Sequence, residues 1–188
     1  MFQRLQILAL SKKESCFLWG VRQSGKSTLL KQLFPDSPYY DLLLANQYSR
    51  LINRPDAMRE ELIAMDNVVS PVIIDEVQKI PALIDEVHWL IENKRLRFVL
   101  CGSSPRKLKR TGGNLLGGRA VRYQLFPLAY PEIPDFNLLR AINNGLLPRH
   151  YSSDNARELL DAYIGDYLKE EIAAESFIRN IQGFSRFM

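Results

Sequence analysis

Two cysteines and two histidines are all that the 188-residue chain holds of the side chains that most often bind zinc or form cross-links. Cys16 and Cys101 lie far apart in short apolar runs, and His88 and His150 each stand alone. That scarcity excludes a disulfide scaffold and a zinc site built on paired ligands. The two thiols are expected to be buried and reduced. No apolar run approaches the ~18 residues of a membrane span. Residues 1–10 lack the long apolar core and small-residue cleavage site of a secretory leader. The expectation is a cytoplasmic protein without membrane contact, its first ten residues forming a short amphipathic helix. Internal repeats and low-complexity segments are also missing. Acidic residues are absent from 93–131, a stretch that carries Lys94, Arg95, Arg97, Arg106, Lys107, Lys109, Arg110, Arg119 and Arg122. Three readings of residues 94–122 compete: a solvated basic face, a subunit or domain contact, and a DNA- or RNA-binding surface. No aromatic residue interleaves with the 106–110 cluster, which argues against base stacking on single strands.

What is present is more specific. Gly20, Val21, Arg22, Gln23, Ser24, Gly25, Lys26 and Ser27 spell G-x-x-x-x-G-K-S, a phosphate-binding loop. Its backbone must curl so that successive amides face an anion, which requires glycine. Lys26 can reach the β- and γ-phosphates, and the Ser27 hydroxyl can ligate Mg²⁺. Ser27 and Thr28 open a helix whose N-terminal dipole favours phosphate. The context fits, because residues 17–19 end a buried strand and 27–33 read as a helix.

A second motif assigns the nucleotide a use. Val72, Ile73 and Ile74 form a short β-branched run that ends in Asp75 and Glu76. Asp75, at the strand's carboxyl end, would hold Mg²⁺ beside Ser27, since magnesium needs only one or two carboxylates. Glu76 would act as general base on a water aimed at the γ-phosphate. The bland alternative is a pair of acids that merely closes a strand.

Strand-like residues 16–19, 39–43, 72–75, 97–101 and 121–125 alternate with helical patterns at 27–33, 47–53, 56–65 and 81–92. Alternation of this kind predicts an α/β fold, a parallel sheet covered on both faces. After Pro134 the pattern turns helical, over 136–143 and again over 155–181. In the second stretch Leu159, Leu160, Tyr163, Ile164, Tyr167, Leu168 and Ile172 form one apolar stripe, which reads as packing. The expected division is an ATPase-type domain over 1–134 and a helical appendage over 135–188.

With both motifs placed, the chain resembles a group of bacterial and archaeal ATPases of the AAA+ superfamily. The similarity runs through 20–27, the Asp75-Glu76-Val77-Gln78 segment, 97–104 with Gly102-Ser103-Ser104, 115–120 with Gly117-Gly118-Arg119, and 125–128. It extends to 167–172 and to Arg179, Phe184 and Phe187. The resemblance implies a three-layer P-loop NTPase with a five-stranded parallel sheet in the order 5-1-4-3-2. It implies that Ser103 or Ser104 acts as a polar sensor near the γ-phosphate, and that Arg119 is an arginine finger or a cis sensor. A purely structural Arg119, bound to backbone carbonyls, is the third option. The family pattern has threonine where this chain has Cys101. Family members are usually about twice this length, with a C-terminal domain of unknown function, so the chain resembles their N-terminal part.

The expected activity is Mg²⁺-dependent ATP hydrolysis, with a homo-oligomer among the expected assemblies. The main alternative is a nucleotide-dependent DNA-binding switch with slow turnover. GTP is disfavoured because Asn93-Lys94-Arg95-Leu96 lacks the aspartate of a guanine motif. A small-molecule kinase is disfavoured by the paired acids at 75 and 76.

Overall fold

The computed structural model describes residues 2–6, 8–9, 13–105, 108 and 116–167. Two compact units divide the chain between Pro127 and Leu128.

The first unit is built on five parallel strands: β1 (Ser15–Trp19), β2 (Tyr39–Asp41), β3 (Val72–Asp75), β4 (Phe98–Gly102) and β5 (Ala120–Gln124). Their order across the sheet is β2-β3-β4-β1-β5, the order that the resemblance implied. The helices α1 (Lys26–Leu33), α2 (Ala45–Asn53), α3 (Asp56–Ala64) and α4 (Leu83–Lys94) link them. Alternation of side chains along each strand fills two cores. Phe17, Val72, Ile74, Phe98 and Leu100 pack with Leu51, Met58, Leu62, Leu83, Val87 and Leu90, so this face lies under α2, α3 and α4. Cys16, Leu18, Ile73, Val99 and Cys101 pack with Leu29 and Leu30 of α1 on the other. The central strands are buried on both faces, as parallel strands require.

Parity within the strands aims the chemistry. Ile73 faces α1, so Asp75, two residues on, faces α1 as well. Val99 and Cys101 share that face. The register Cys16↔Val99 and Trp19↔Gly102 brings the carboxyl ends of β1 and β4 level.

Three local expectations differ from the structure. Residues 2–6 carry no helix. A helix this short is marginal in water, and Arg4 instead donates to the carbonyls of Ser24 (3.0 Å), Phe126 (2.5 Å) and Pro127 (3.3 Å). The second strand ends at Asp41 rather than Leu43, because the chain turns there: Leu43 N donates to Asp41 Oδ1 at 2.9 Å and Leu44 N to Asp41 O at 3.1 Å. The third difference is an extra short helix in the second unit.

That unit contains α5 (Leu138–Asn144), α6 (Pro148–Ser152) and α7 (Ala156–Tyr167). Asn137 caps α5 by accepting from Arg140 N at 2.9 Å, and Gly145 ends it at φ 74°. The unanticipated α6 starts on Pro148, a residue suited to a first helical position. Arg140 binds Tyr151 O at 2.8 Å and Asp154 Oδ1 at 2.9 Å, tying α5 to α6 and the loop after it. Leu159, Leu160, Tyr163 and Ile164 are half-buried on α7 between exposed Arg157, Glu158 and Asp161. The rest of the expected helix to 181, with Leu168 and Ile172, lies outside the described residues, as do Arg179, Phe184 and Phe187. No helix among the described residues is long and apolar enough to cross a membrane.

Two measurements check this packing. Phe98 is fully buried between the strands and α4, so Phe98→Ala is expected to destabilise the unit by about 3–5 kcal/mol in urea titrations. Cys16 and Cys101 are both free and buried. Burial pushes the Cys16 thiol up to about 12. Burial first, and then the Asp75 charge, push the Cys101 thiol well above its usual value. Neither thiol should react with an alkylating reagent at pH 8 until the protein is unfolded. The raised folded-state value of Cys16 also means that its share of stability is intact below pH ~9 and is lost as pH climbs toward ~12.

Candidate nucleotide site

The phosphate loop spans the carboxyl end of β1 and the start of α1. Gly25 adopts φ 92° and Gln23 φ 61°, both left-handed. Glycine holds that conformation without strain, and here it turns the loop into the helix. Lys26 is 5% exposed, and its ammonium is held by the loop itself. Nζ donates to Gly20 O at 2.8 Å and to Val21 O at 3.0 Å. Ser24 is buried against Gly20, and its Oγ has no hydrogen-bond partner. Val21 and Gln23 are exposed on the loop, Arg22 is half-buried, and Thr28 is exposed on the first turn of α1.

Asp75 is the point of convergence. Its Oδ2 accepts from Ser27 Oγ at 2.5 Å and from Tyr39 OH at 2.6 Å. Its Oδ1 accepts from Glu76 N at 3.0 Å. The Cys101 thiol faces the same carboxylate across the α1 side of the sheet. Asp75 is 2% exposed, so three donors hold a carboxylate that would be costly to bury alone. Burial and then the hydrogen bond to Asp75 raise the Tyr39 phenol far above its usual value, so it remains a donor. Sequence reasoning assigned Tyr39 only to a strand. The signal lies in strand register, Tyr39↔Ile73, which aligns β2 with the strand that ends in Asp75.

Glu76 leaves the strand in a left-handed conformation, φ 59° and ψ 41°. Its carboxylate accepts from Gln78 Nε2, which also donates to Ser103 Oγ at 3.3 Å. The structure therefore groups Glu76 with Ser103 through Gln78, a residue to which the sequence gave no role. Ser104 is buried next to Ser103.

Arg119 is not part of this group. It precedes β5 at the end of the strand paired with Ser15, whereas the loop follows Trp19. Five residues of strand, about 16 Å, separate the two ends. There the Arg119 guanidinium pairs with Glu92 of α4 and reaches Gly117 O at 3.4 Å. Of the basic stretch, Arg106, Lys107, Lys109 and Arg110 lie outside the described residues.

The donor chemistry fits a nucleotide with magnesium. Ser27 and Asp75 offer two hard oxygens side by side. Mg²⁺ takes few protein ligands and completes its shell with phosphate oxygens and water. No cluster of three or more His, Cys, Asp or Glu suited to a metal occurs among the described residues. The Lys26 ammonium sits on carbonyl oxygens that a phosphate's oxygens can replace.

Residues 12–134 match the family model of an AAA domain. No curated protein matches the sequence. A solved structure of two coordinating Pif1 helicases, concerned with unwinding of forked double-stranded DNA, is similar at 18% identity with a TM-score of 0.40, over 89% of this chain and 52% of that one. The chain thus spans about half the length of that structure's chain. With its loop between β1 and α1 and its parallel sheet in the order β2-β3-β4-β1-β5, the chain belongs to the AAA domain family as a nucleotide-binding P-loop module.

Proposed function

We propose that the chain binds Mg-ATP on residues 20–28 and hydrolyses the β–γ phosphoanhydride. The observation that carries this reading is the convergence of Lys26, Ser27, Asp75 and Glu76 at the carboxyl edge of one parallel sheet, where α/β folds bind ligands. On this reading the loop amides and Lys26 hold the phosphates, Lys26 exchanging its carbonyl partners for phosphate oxygens. Ser27 and Asp75 would hold Mg²⁺, whose charge would offset that of the phosphate oxygens. Tyr39 and the Glu76 amide hold the Asp75 carboxylate in the orientation that a metal beside Ser27 would need. Glu76 accepts a proton from the attacking water. Ser103 and Ser104 follow β4, and one of them would serve as the polar contact for the γ-phosphate.

Lys26→Ala is expected to abolish the thermal upshift that Mg-ATP gives the parent, without unfolding the domain. Equal upshifts in the two proteins would exclude the loop as the site. Glu76→Gln should retain the upshift and lose turnover by about 10²–10⁴-fold. Asp75→Asn should lose affinity as well, because the metal shell is weakened.

The placement of Arg119 favours a role on a neighbouring subunit or a structural one over action on the chain's own nucleotide. In homo-oligomers, a finger in trans would make the rate per chain rise with protein concentration. Mixing Arg119→Ala with Lys26→Ala chains would then restore activity, since each supplies what the other lacks. A structural Arg119, paired with Glu92, predicts full activity for Arg119→Ala and a rate per chain that stays flat with concentration.

A second reading, a nucleotide-gated DNA-binding switch, is favoured by the acid-free stretch 93–131. DNA affinity that depends on bound nucleotide and falls steeply with salt, alongside slow DNA-independent turnover, would support it.

A further inference from the structure

Gln78 occupies a position that the reaction scheme above leaves without a task. Its side-chain amide donates to two acceptors on different elements: Glu76, which follows β3, and Ser103, which follows β4 at 3.3 Å. The backbone supports this reach. Glu76 is left-handed, and residues Val77–Lys79 form a single tight turn, with Lys79 N bonded to Glu76 O at 2.9 Å. The turn folds Gln78 back over the end of β4. There it meets Gly102, where even a methyl group would come within 2.1 Å of Gln78 Oε1 and 2.8 Å of the Trp19 ring. Gly102 therefore leaves a slot one side chain wide, and Gln78 fills it. Its Oε1 is buried with no hydrogen-bond partner. A packing residue alone would not bring an unsatisfied amide oxygen into this slot, since an apolar side chain of similar length would fill it without that penalty. What the amide gains is its pair of donors on the other side.

We propose that Gln78 is the positioning residue for Glu76, holding one carboxylate oxygen so that the other is presented to the attacking water, and tying that carboxylate to Ser103. The inference rests on the reading of Glu76 as general base. A free glutamate side chain samples several rotamers, and proton transfer requires hydrogen-bond reach of the water. One N–H bond to Oε2 fixes the carboxylate plane while leaving Oε1 to accept. Because the same amide holds Ser103, a shift of the β4 end on phosphate contact is passed to the base through one side chain.

The experiment compares the parent chain, Gln78→Ala, Gln78→Glu, Glu76→Gln and the Glu76→Gln/Gln78→Ala double variant. It measures steady-state ATP turnover and, separately, affinity for a fluorescent ATP analogue with Mg²⁺. Gln78→Ala should lower kcat by about tenfold or more, within the range of losing the base itself, and leave affinity for the analogue unchanged. Gln78→Glu conserves shape but replaces a donor with a like charge beside Glu76, so it should not restore turnover. In the double variant kcat should lie close to that of Glu76→Gln, because the tie from Gln78 to Ser103 influences turnover through the Glu76 carboxylate that the first substitution has already removed. The proposal is overturned if Gln78→Ala turns over within twofold of the parent, if Gln78→Glu restores turnover, if affinity falls along with kcat, or if the double variant falls well below Glu76→Gln. A Glu76→Gln chain as fast as the parent would overturn the general-base reading itself. That outcome is distinct from a Gln78 variant without effect beside an inactive Glu76→Gln.

Discussion

Because all five strands run in one direction, every strand delivers its last residue to the same edge of the sheet. Trp19, Asp75 and Gly102 end three neighbouring strands, and the functional segments follow directly from them. The alternation of side chains then sorts those segments by face. Asp75, Cys101 and Tyr39 fall on the α1 side with Ser27, while Gly102, Trp19 and Gln78 meet on the other. A shift of one residue in the pairing of β3 would turn Asp75 away from Ser27 and put Ile74 in its place. The buried apolar runs that fix the register therefore also fix which carboxylate meets which hydroxyl.

Much of this was legible because the relevant chemistry is local in sequence. A loop that must curl around an anion carries its glycines and lysine within eight residues, and a buried parallel strand announces itself by an unbroken run such as Val72-Ile73-Ile74. The strand order was legible only through resemblance, since periodicity does not say which strands are neighbours. Tyr39 was read only as part of a strand, and Gln78 only as part of a family segment, for a different reason. Tyr39 reaches Asp75 by strand pairing, and Gln78 reaches Glu76 and Ser103 through a left-handed turn, contacts that sequence spacing does not display. The N-terminal segment was misjudged because apolar spacing suggested a helix, whereas Arg4 finds three carbonyl acceptors far along the chain. Pro148 did mark the start of α6, but a helix of five residues has too little period to register.

The two ends of the sheet carry opposite kinds of charge arrangement. At the carboxyl edge the charges are buried and bonded to fixed partners: Lys26 to loop carbonyls, Asp75 to three donors. At the amino edge, Arg119 and Glu92 pair in the open, at 42% and 50% side-chain exposure. Exposed pairs of this type contribute little to stability, typically under about 1 kcal/mol, so Arg119 can exchange its partner at small cost. The rigid edge suits a site that must be ready before its ligand arrives, and the loose edge suits a contact made and broken.

The left-handed turn at Glu76 has a consequence for how much sequence change the domain can absorb. A non-glycine residue held at φ 59° costs on the order of 1–3 kcal/mol. Domains of this kind keep a net stability of only about 5–15 kcal/mol, and an ordinary substitution removes about 1. The strain at one residue thus takes up as much of the margin as one to three random substitutions would. Glycine would relieve it, at the expense of the carboxylate. An acid at this position therefore leaves less margin for cavity-forming changes in the core of β3 and β4, although the residue itself lies outside both.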